Sequence, residues 1–222
     1  MSITTHERPG VYSSYGASSL IRGSGGRKTV GLVAVNTKAT AKTVYTITSY
    51  EEAVTTFGSA GGQDMAELIR VILLNGAAAV AAVPISASTD YEAGFAVLEG
   101  QENVSVVVCD STTQTDQQDL RDSVAAASAA RRERIAVVGG AASETVTNLI
   151  SRAAALNSER VVLVAPGGTD EDGTALSGLT AAAAVAGAIA AQSDPALPLS
   201  GAELTGLPGL SQQYNDNAID LL

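Results

Sequence analysis

The chain has 222 residues, of which 45% are apolar and 16% are charged, a composition typical of a globular protein rather than a disordered one. Its net charge of −10 disfavours nucleic-acid binding, because a surface that neutralises phosphates needs clustered Lys and Arg. Aromatic residues make up only 4% of the chain, so few large side chains are available to wall a deep ligand pocket.

Two further patterns bear on the cellular setting. The longest apolar stretch, Leu179–Ala191, is too short to span a bilayer, and the first ten residues lack the apolar run of a secretion signal. The single cysteine, Cys109, excludes an intrachain disulfide and ends an apolar run, which indicates a small buried side chain. We therefore expect no membrane partner and synthesis in a reducing cytoplasm.

Residues 1–28 form an extended N-terminal arm that differs from the rest of the chain in composition and charge. The arm is rich in Ser and Gly and carries four positive residues and one negative residue, a net charge of +3. Since the whole chain carries −10, the remaining residues carry −13. The acidity of the body permits two interpretations, which are solubility and the steering of assembly between a basic arm and an acidic surface.

Residues 29–192 alternate between strand-like and helix-like segments. Continuous β-branched runs such as Thr29–Val35 and Val104–Asp110 predict buried strands, and Lys42–Thr48 alternates like a strand with one wet face. The clearest helix is predicted over Asp64–Gly76, where apolar residues form one stripe. This order predicts an α/β body with a largely parallel central sheet and helices on both faces.

Residues 193–222 have a different character. Three prolines between Ser193 and Ser211 predict an irregular excursion, and Gln212–Leu222 predicts a terminal helix. We expect this segment to lead towards a C-terminal domain that is absent from the chain.

The body holds one basic cluster, at the predicted end of the helix Asp116–Glu133. A cation at that place interacts favourably with the negative end of the helix dipole, and this is the role that we predict for the cluster. Its members are Arg131, Arg132 and Arg134.

The carboxyl ends of the strands would hold a ligand or a catalytic group in an open α/β sheet. The candidates there are Asp110, Gly139, Gly140, Gly167, Gly168, Asp170 and Asp172. No dinucleotide fingerprint follows a strand, and "GGTDEDG" lacks the glutamate that would complete a calcium loop. The one histidine, His6, lies in the arm, and the chain has no nucleophile elbow. We therefore predict no catalytic residue, no cofactor and no metal.

Several stretches, taken in order, resemble the contractile tail sheath proteins of phages and related injection machines. Those proteins commonly begin with a Pro-Gly-Val-Tyr step like that in "ERPGVY". The resemblance extends to the early strands with their "FG"-terminated helix, the late strand with its Ala-rich helix, and the Pro-rich loop. These stretches are Val30–Ala39, Tyr45–Gly58, Arg160–Gly167, Ala182–Asp194 and Leu197–Leu210.

The resemblance implies a structural, non-enzymatic subunit that polymerises around an inner tube and contracts by rearrangement of its copies. Its partners would be neighbouring sheath subunits and, through the missing C-terminal region, an inner tail tube protein. The subunit would belong to a phage tail or phage-tail-like particle assembled in the bacterial cytoplasm. In this family, extended arms add strands to sheets of neighbouring subunits, and the resemblance assigns that role to Glu7, Arg8, Pro9, Gly10, Val11 and Tyr12.

Three alternatives stay open at this point. Residues 1–12 could form the first edge strand of their own subunit, as N-terminal strands often do. The body could be a flavodoxin-like ligand-binding domain or enzyme, which would need a polar pocket at the strand ends. The chain could also be a structural protein of a tail or a bacterial microcompartment other than the sheath.

Overall fold

A computed structural model of the chain describes residues 28–219, apart from residue 171 and residues 195–197. The arm segment Glu7–Tyr12 lies outside the described residues. The strands, in chain order, are β1 (Thr29–Val35), β2 (Tyr45–Ile47), β3 (Ala79–Ile85), β4 (Val104–Cys109), β5 (Ile135–Gly139), β6 (Val161–Val164), β7 (Gly168–Thr169) and β8 (Gly209–Leu210).

The first six strands form one sheet in the order β2-β3-β1-β4-β5-β6. All neighbouring pairs are parallel except β2 with β3, which is antiparallel. The prediction of a largely parallel central sheet is confirmed. The last two strands form a separate two-residue antiparallel ladder.

Seven helices lie among the described residues. They are α1 (Tyr50–Phe57), α2 (Met65–Leu74), α3 (Tyr91–Glu99), α4 (Gln114–Ala129), α5 (Val146–Leu156), α6 (Gly178–Ala191) and α7 (Asp216–Ile219). The first two begin at side-chain caps, where Ser49 Oγ accepts from the Glu52 N–H and the Asp64 carboxylate accepts from the Glu67 N–H. Each cap satisfies an N–H group that has no partner within the helix.

Helices cover both faces of the sheet, and the side chains of each strand alternate between the two resulting cores. In β1, Leu32 packs with residues of α1, α2 and α6, whereas Val33 packs with residues of α3, α4 and α5. A strand that is buried on both faces needs an apolar residue at every position, which explains the continuous apolar runs in the sequence.

Small residues allow the helix α6 to lie close to its neighbours. The helix contains eight alanines and two glycines, and a Cβ atom added to Gly187 would lie 2.4 Å from the carbonyl oxygen of Ile72 in α2. Because aromatic residues are scarce, close approach of main chains fills the space that large side chains would otherwise occupy.

The structure shortens two of the predicted segments and adds a strand pairing to a third. The edge strand occupies Tyr45–Ile47 rather than Lys42–Thr48, because the preceding residues turn, with Lys42 in a left-handed conformation (φ 59°). The excursion after residue 193 includes β8, which pairs with β7, so it is tied to the body. The described terminal helix covers only Asp216–Ile219.

One contact between main chains fixes the position of α6 relative to β5. A Cβ atom added to Gly139 would lie 2.2 Å from the carbonyl carbon and oxygen of Gly178, the first residue of α6. The main-chain N–H of Gly178 also donates to the carbonyl oxygen of Gly140 at 2.8 Å. No side chain fits between these two segments.

We expect Gly139→Ala to lower the free energy of unfolding by at least about 2 kcal/mol, because the added methyl group forces α6 away from β5. Urea denaturation followed by circular dichroism measures this change. Gly100→Ala is the matched control, since its Cβ would lie 3.7 Å from the nearest atom, the carbonyl oxygen of Val97. Equal stabilities of the two variants would contradict the packing argument.

Candidate functional site

The strand order reverses next to β1. The chain places β3 on one side of β1 and then crosses over to place β4, β5 and β6 on the other side. In open α/β sheets, the crevice beyond the carboxyl ends of the strands at such a reversal is the usual ligand site. Here it lies beyond Val35 and Cys109, where β1 and β4 end.

Asp110 lies at this crevice, and its polar atoms form hydrogen bonds to other groups of the protein. Its Oδ2 accepts from the main-chain N–H of Val35 at 2.9 Å, and its Oδ1 accepts from the Tyr91 hydroxyl at 2.5 Å. Its own N–H donates to the carbonyl oxygen of Val33 at 3.3 Å. The carboxylate therefore joins the ends of β1 and β4 to the start of α3, and both of its oxygens are occupied by donors of the protein.

Burial governs the protonation of this cluster. Desolvation raises the pKa of Asp110, although the hydrogen bonds from Tyr91 and Val35 oppose the rise. Desolvation, with Asp110 next in size, also raises the pKa of the Tyr91 hydroxyl. Burial raises the pKa of the Cys109 thiol to about 12. Since a thiolate is the reactive form, Cys109 is not an activated nucleophile at neutral pH.

A second buried polar cluster lies beyond β4 and β5. Gln117 of α4 is fully buried, and its Nε2 donates to the carbonyl oxygens of Ser111 at 3.1 Å and Gly139 at 2.8 Å. Arg152 of α5 donates through Nη1 to Gln117 Oε1 at 3.0 Å and to the Thr112 carbonyl oxygen at 2.8 Å. Two long polar side chains thus satisfy the main-chain oxygens that the strand ends leave unpaired.

An ion pair completes this cluster. Arg152 Nη2 lies 3.0 Å from Glu144 Oε1, and the two side chains are only 9% and 10% exposed. The other carboxylate oxygen of Glu144 accepts from the Ala141 N–H at 2.8 Å, and its carbonyl oxygen accepts from Gln212 Nε2 at 3.2 Å. The pair therefore connects the loop after β5, the helix α5 and the segment near the C-terminus.

No motif in the sequence singles out Gln117, Glu144 and Arg152. A signal was present for two of them, because they interrupt otherwise apolar stripes. Gln117 lies three positions before Leu120, and Arg152 lies three positions after Leu149. A polar residue on a buried stripe needs a partner, although the sequence does not say which one.

The structure places the remaining candidates of this edge in turns and close contacts. Gly139 and Gly140 lie against Gly178, as described above, and an added Cβ on Gly167 would meet the Leu176 carbonyl oxygen at 2.3 Å. Gly168 starts β7, and Asp170 Oδ1 accepts from the Thr174 N–H at 2.7 Å within the following turn. Asp172 is exposed in that turn. Neither group of glycines is arranged around a space for a phosphate.

An open cleft of about 380 Å³ lies at the same edge, between the loops that follow β1 and α1. Three of its polar side chains are engaged within the protein. Lys38 Nζ donates to the Thr55 carbonyl oxygen at 2.9 Å, and Asn36 Nδ2 donates to the Phe57 carbonyl oxygen at 2.9 Å. The Asp64 carboxylate accepts from the N–H groups of Ala60 and Gly61 and caps α2. The amide, the ammonium group and the carboxylate of this cleft are thus bonded to the protein itself rather than directed at a ligand.

The part of the chain that the structure describes has neither a metal site of clustered ligands nor a membrane-spanning helix. No group of three His, Cys, Asp or Glu side chains there is arranged to hold a metal ion. No helix in that part combines the length and apolarity required for crossing a bilayer.

The arginine cluster acts on a different helix from the one predicted. Arg132 Nη1 donates to the carbonyl oxygen of Glu99 at 2.9 Å, and Arg134 donates to the carbonyl oxygens of Leu98 at 2.9 Å and Gln101 at 2.7 Å. Both therefore cap the end of α3 rather than α4. Burial lowers the pKa of Arg134, which is 3% exposed. The prediction that these cations lie at a helix C-terminus is correct, but the helix is α3 rather than α4, because tertiary packing brings the end of α3 to Arg132 and Arg134.

We expect Asp110→Asn to remove a pH-dependent destabilisation. A carboxyl group whose pKa is raised by folding binds its proton more tightly in the folded state, so its contribution to stability falls as the pH rises above the ordinary value of 3.8. The stability of the variant relative to the parent should therefore increase from about pH 3 to pH 7 in urea titrations. Asp122→Asn is the control, since that side chain is 66% exposed. A relative stability that is flat or falls with pH would contradict this assignment.

We expect Arg152→Met to lower the free energy of unfolding by about 3–5 kcal/mol, because Glu144 then stays buried without its counter-charge. Arg160→Met is the matched control, since Arg160 pairs with Glu133 at the surface, where side chains are 34% and 67% exposed. Loss of this surface pair should lower the free energy of unfolding by less than about 1 kcal/mol. Urea denaturation compares the two variants, and similar losses would show that the buried network is not a stabilising feature.

Comparisons with known proteins agree with the α/β architecture described above. The family model of the phage tail sheath protein central domain matches residues 86–222. The fold is similar to the sheath subunit in the contracted helical sheath of the anti-feeding prophage, with a TM-score of 0.62, 16% identity and 98% of this chain covered. No curated protein sequence matches the chain.

Two crystal structures of sheath tail proteins are also similar. The protein from Desulfitobacterium hafniense gives a TM-score of 0.69 at 13% identity over 95% of this chain, and the protein from Listeria innocua gives 0.57 at 14% identity over 77%. The chain spans 62% of the prophage subunit and 69% and 57% of these two proteins. Since the family model matches well over half of the sequence, the chain belongs to the phage tail sheath protein family, and the match is to the central domain of that family.

Proposed function

We propose that this chain is a structural subunit of a contractile tail sheath, in a phage tail or a phage-tail-like injection particle assembled in the bacterial cytoplasm. Copies of the chain polymerise around an inner tube, and the sheath contracts by rearrangement of nearly rigid subunits. The observation that carries this proposal is the family match over residues 86–222. Two of the similar structures are those of the helical sheath and the baseplate of the anti-feeding prophage.

The geometry of the strand ends supports a structural role without covalent chemistry. Asp110, Gln117, Glu144 and Arg152 all direct their polar atoms to partners within the protein. Closure of this edge makes the body rigid, and rigidity suits a subunit that must transmit a displacement to its neighbours. A flavodoxin-like ligand-binding function, which would use the same edge, is not favoured because Asp110 occupies the crevice.

The arm supplies the link between subunits in this proposal. Pro9 has a fixed φ and favours an extended residue before it, while Val11 and Tyr12 have side chains that suit a half-buried strand. A strand of this kind gains affinity from main-chain hydrogen bonds to a neighbouring sheet. The Ser- and Gly-rich residues 13–26 would act as a flexible tether, so that subunits move relative to one another while the strand stays bound.

The contact with the inner tube is assigned to a region other than the described body. The chain spans only 62% of the prophage sheath subunit, and we propose that the tube-facing domain of the sheath lies outside the described residues. Residues 193–222 would then connect the α/β body, residues 29–192, to that domain. The body itself would form the outer part of the sheath.

We expect the intact chain, concentrated and viewed by negative-stain electron microscopy, to form helical tubes or sheath-like rings. A variant with residues 7–12 replaced by Gly and Ser at the same length should give compact, monodisperse particles, because the strand-forming side chains are lost. Circular dichroism checks that both proteins are folded. Monodisperse particles of the intact chain at every concentration and salt tested would contradict the proposed function.

A further inference from the structure

The side-chain amide of Asn75 joins the end of α2 to the returning segment, residues 198–211 of the excursion. Its Nδ2 donates to the carbonyl oxygen of Thr205 at 2.9 Å, and its Oδ1 accepts from the Thr205 N–H at 2.9 Å. Nδ2 also donates to the Val71 carbonyl oxygen at 2.8 Å, one turn back in α2. The amide therefore pairs with a main-chain unit 130 positions away, and both of its N–H groups are used.

The returning segment is attached more firmly at its end than near Thr205. At its end, β8 pairs with β7, and the N–H of Ser211 donates to the Gly167 carbonyl oxygen at 2.8 Å. Near Thr205, by contrast, residues 201–203 and Thr205 itself are exposed. Exposed main chain with few hydrogen bonds opens at a lower free energy than the core of the same protein. The pairing of Asn75 with Thr205 should therefore open while the body stays folded.

Asn75 precedes Gly76, and this is the only Asn-Gly pair in the sequence. In such a pair, the main-chain nitrogen of the glycine loses its proton to a base in solution and attacks Cγ of the asparagine. The glycine has no Cβ to hinder this approach. The new N–Cγ bond closes a succinimide ring, and the Cγ–Nδ2 bond breaks with release of ammonia. Water then opens the ring at either carbonyl group, which leaves aspartate or isoaspartate.

The fold fixes both members of this pair. Gly76 has a left-handed main chain (φ +99°), and a Cβ atom added to it would lie 2.8 Å from Cβ of Ala191 in α6. A side chain at this position would therefore be both strained and crowded. Asn75 supplies the amide that bonds to Thr205. The structure thus requires a chemically labile sequence at the end of α2.

The closed arrangement opposes this reaction at both reacting groups. The N–H of Gly76 donates to the Leu73 carbonyl oxygen at 3.0 Å, so the nitrogen that would attack is engaged. The amide of Asn75 is held by its bonds to Val71 and Thr205, so Cγ cannot turn towards Gly76 until these bonds break. Release of the returning segment removes two of the three bonds that hold the amide.

We propose that Asn75 is a deamidation site that the returning segment protects, and that its modification keeps the segment detached. A carboxylate at position 75 cannot donate to the carbonyl oxygens of Val71 and Thr205, and it repels both of them. Its negative charge also lies at the C-terminus of α2, where the helix dipole disfavours an anion. The loss of ammonia makes the change one-way. The inference concerns the body alone and holds whether or not the chain assembles into a sheath.

The rate of deamidation tests the protection. The full chain is incubated at mildly alkaline pH, and peptide mass spectrometry measures the gain of one mass unit at Asn75. We expect a several-fold higher rate in Thr205→Pro than in the parent, because proline lacks the N–H that bonds to Asn75 Oδ1. Thr205→Ser keeps that N–H and is the matched control, with the parental rate. Unfolding in urea should raise the rates of all three proteins to the same higher value.

Hydrogen exchange of the returning segment tests the consequence of the modification. Asn75→Asp imitates one product, and we expect peptides from residues 198–208 to exchange several-fold faster in this variant than in the parent. Asn157→Asp is the matched control, because Asn157 caps the C-terminus of α5 and the substitution adds the same charge to a helix end. Its returning segment should exchange at the parental rate. Peptides from β1 show whether the body stays folded in both variants.

Three outcomes would overturn the proposal. Equal rates of Asn75 deamidation in the folded parent and in urea would show that the fold gives no protection, and this comparison needs no variant. Equal rates in folded Thr205→Pro and Thr205→Ser would show that the returning segment is not the protecting element. Parental exchange of residues 198–208 in Asn75→Asp would show that the modified side chain still holds the segment.

Discussion

This structure depends on one constraint. The main-chain N–H and C=O groups at the carboxyl edge of a parallel sheet that is covered on both faces must form hydrogen bonds. Every strand of such a sheet ends in a loop whose N–H and C=O groups lie close to the apolar core, where an unpaired group is costly. In many α/β proteins a ligand at this edge supplies part of the missing hydrogen bonds. Here Asp110 supplies them for β1 and β4, and Gln117 with Arg152 supplies them for β4 and β5.

The consequence of this closure is a body that is complete without a ligand. Gly139 and Gly178 bring the start of α6 against the end of β5, where a pocket would otherwise lie. The Glu144–Arg152 pair then holds the loop after β5 to α5 and, through Gln212, to the segment near the C-terminus. The polar groups at this edge are thus satisfied within the protein, which agrees with membership of a sheath family.

Because the polar groups at the carboxyl edge are bonded within the body, the features that bear on function lie at the two edges of the sheet and in the charge distribution. The sheet has one short, polar, antiparallel edge at β2 and one bare, apolar, parallel edge at β6. The charge distribution has a similar asymmetry, since residues 1–28 carry +3 and the rest of the chain carries −13. In the proposed sheath, unequal edges and opposite charges would give the contacts between copies a direction, as a helical polymer requires.

The amino-acid sequence by itself determined the fold class, because continuous apolar runs alternating with amphipathic stripes fit only strands buried on both faces and the helices that cover them. It also indicated that Cys109 is a small buried side chain, since the one cysteine ends an apolar run. Only the tertiary structure decided the strand order, the pairing of Arg134 with α3 rather than α4, and the network of Gln117, Glu144 and Arg152. The Gln117–Ser111 and Arg134–Leu98 hydrogen bonds join residues that are 6 and 36 positions apart. Periodicity reports the face on which a residue lies but not the distant partner that it meets there.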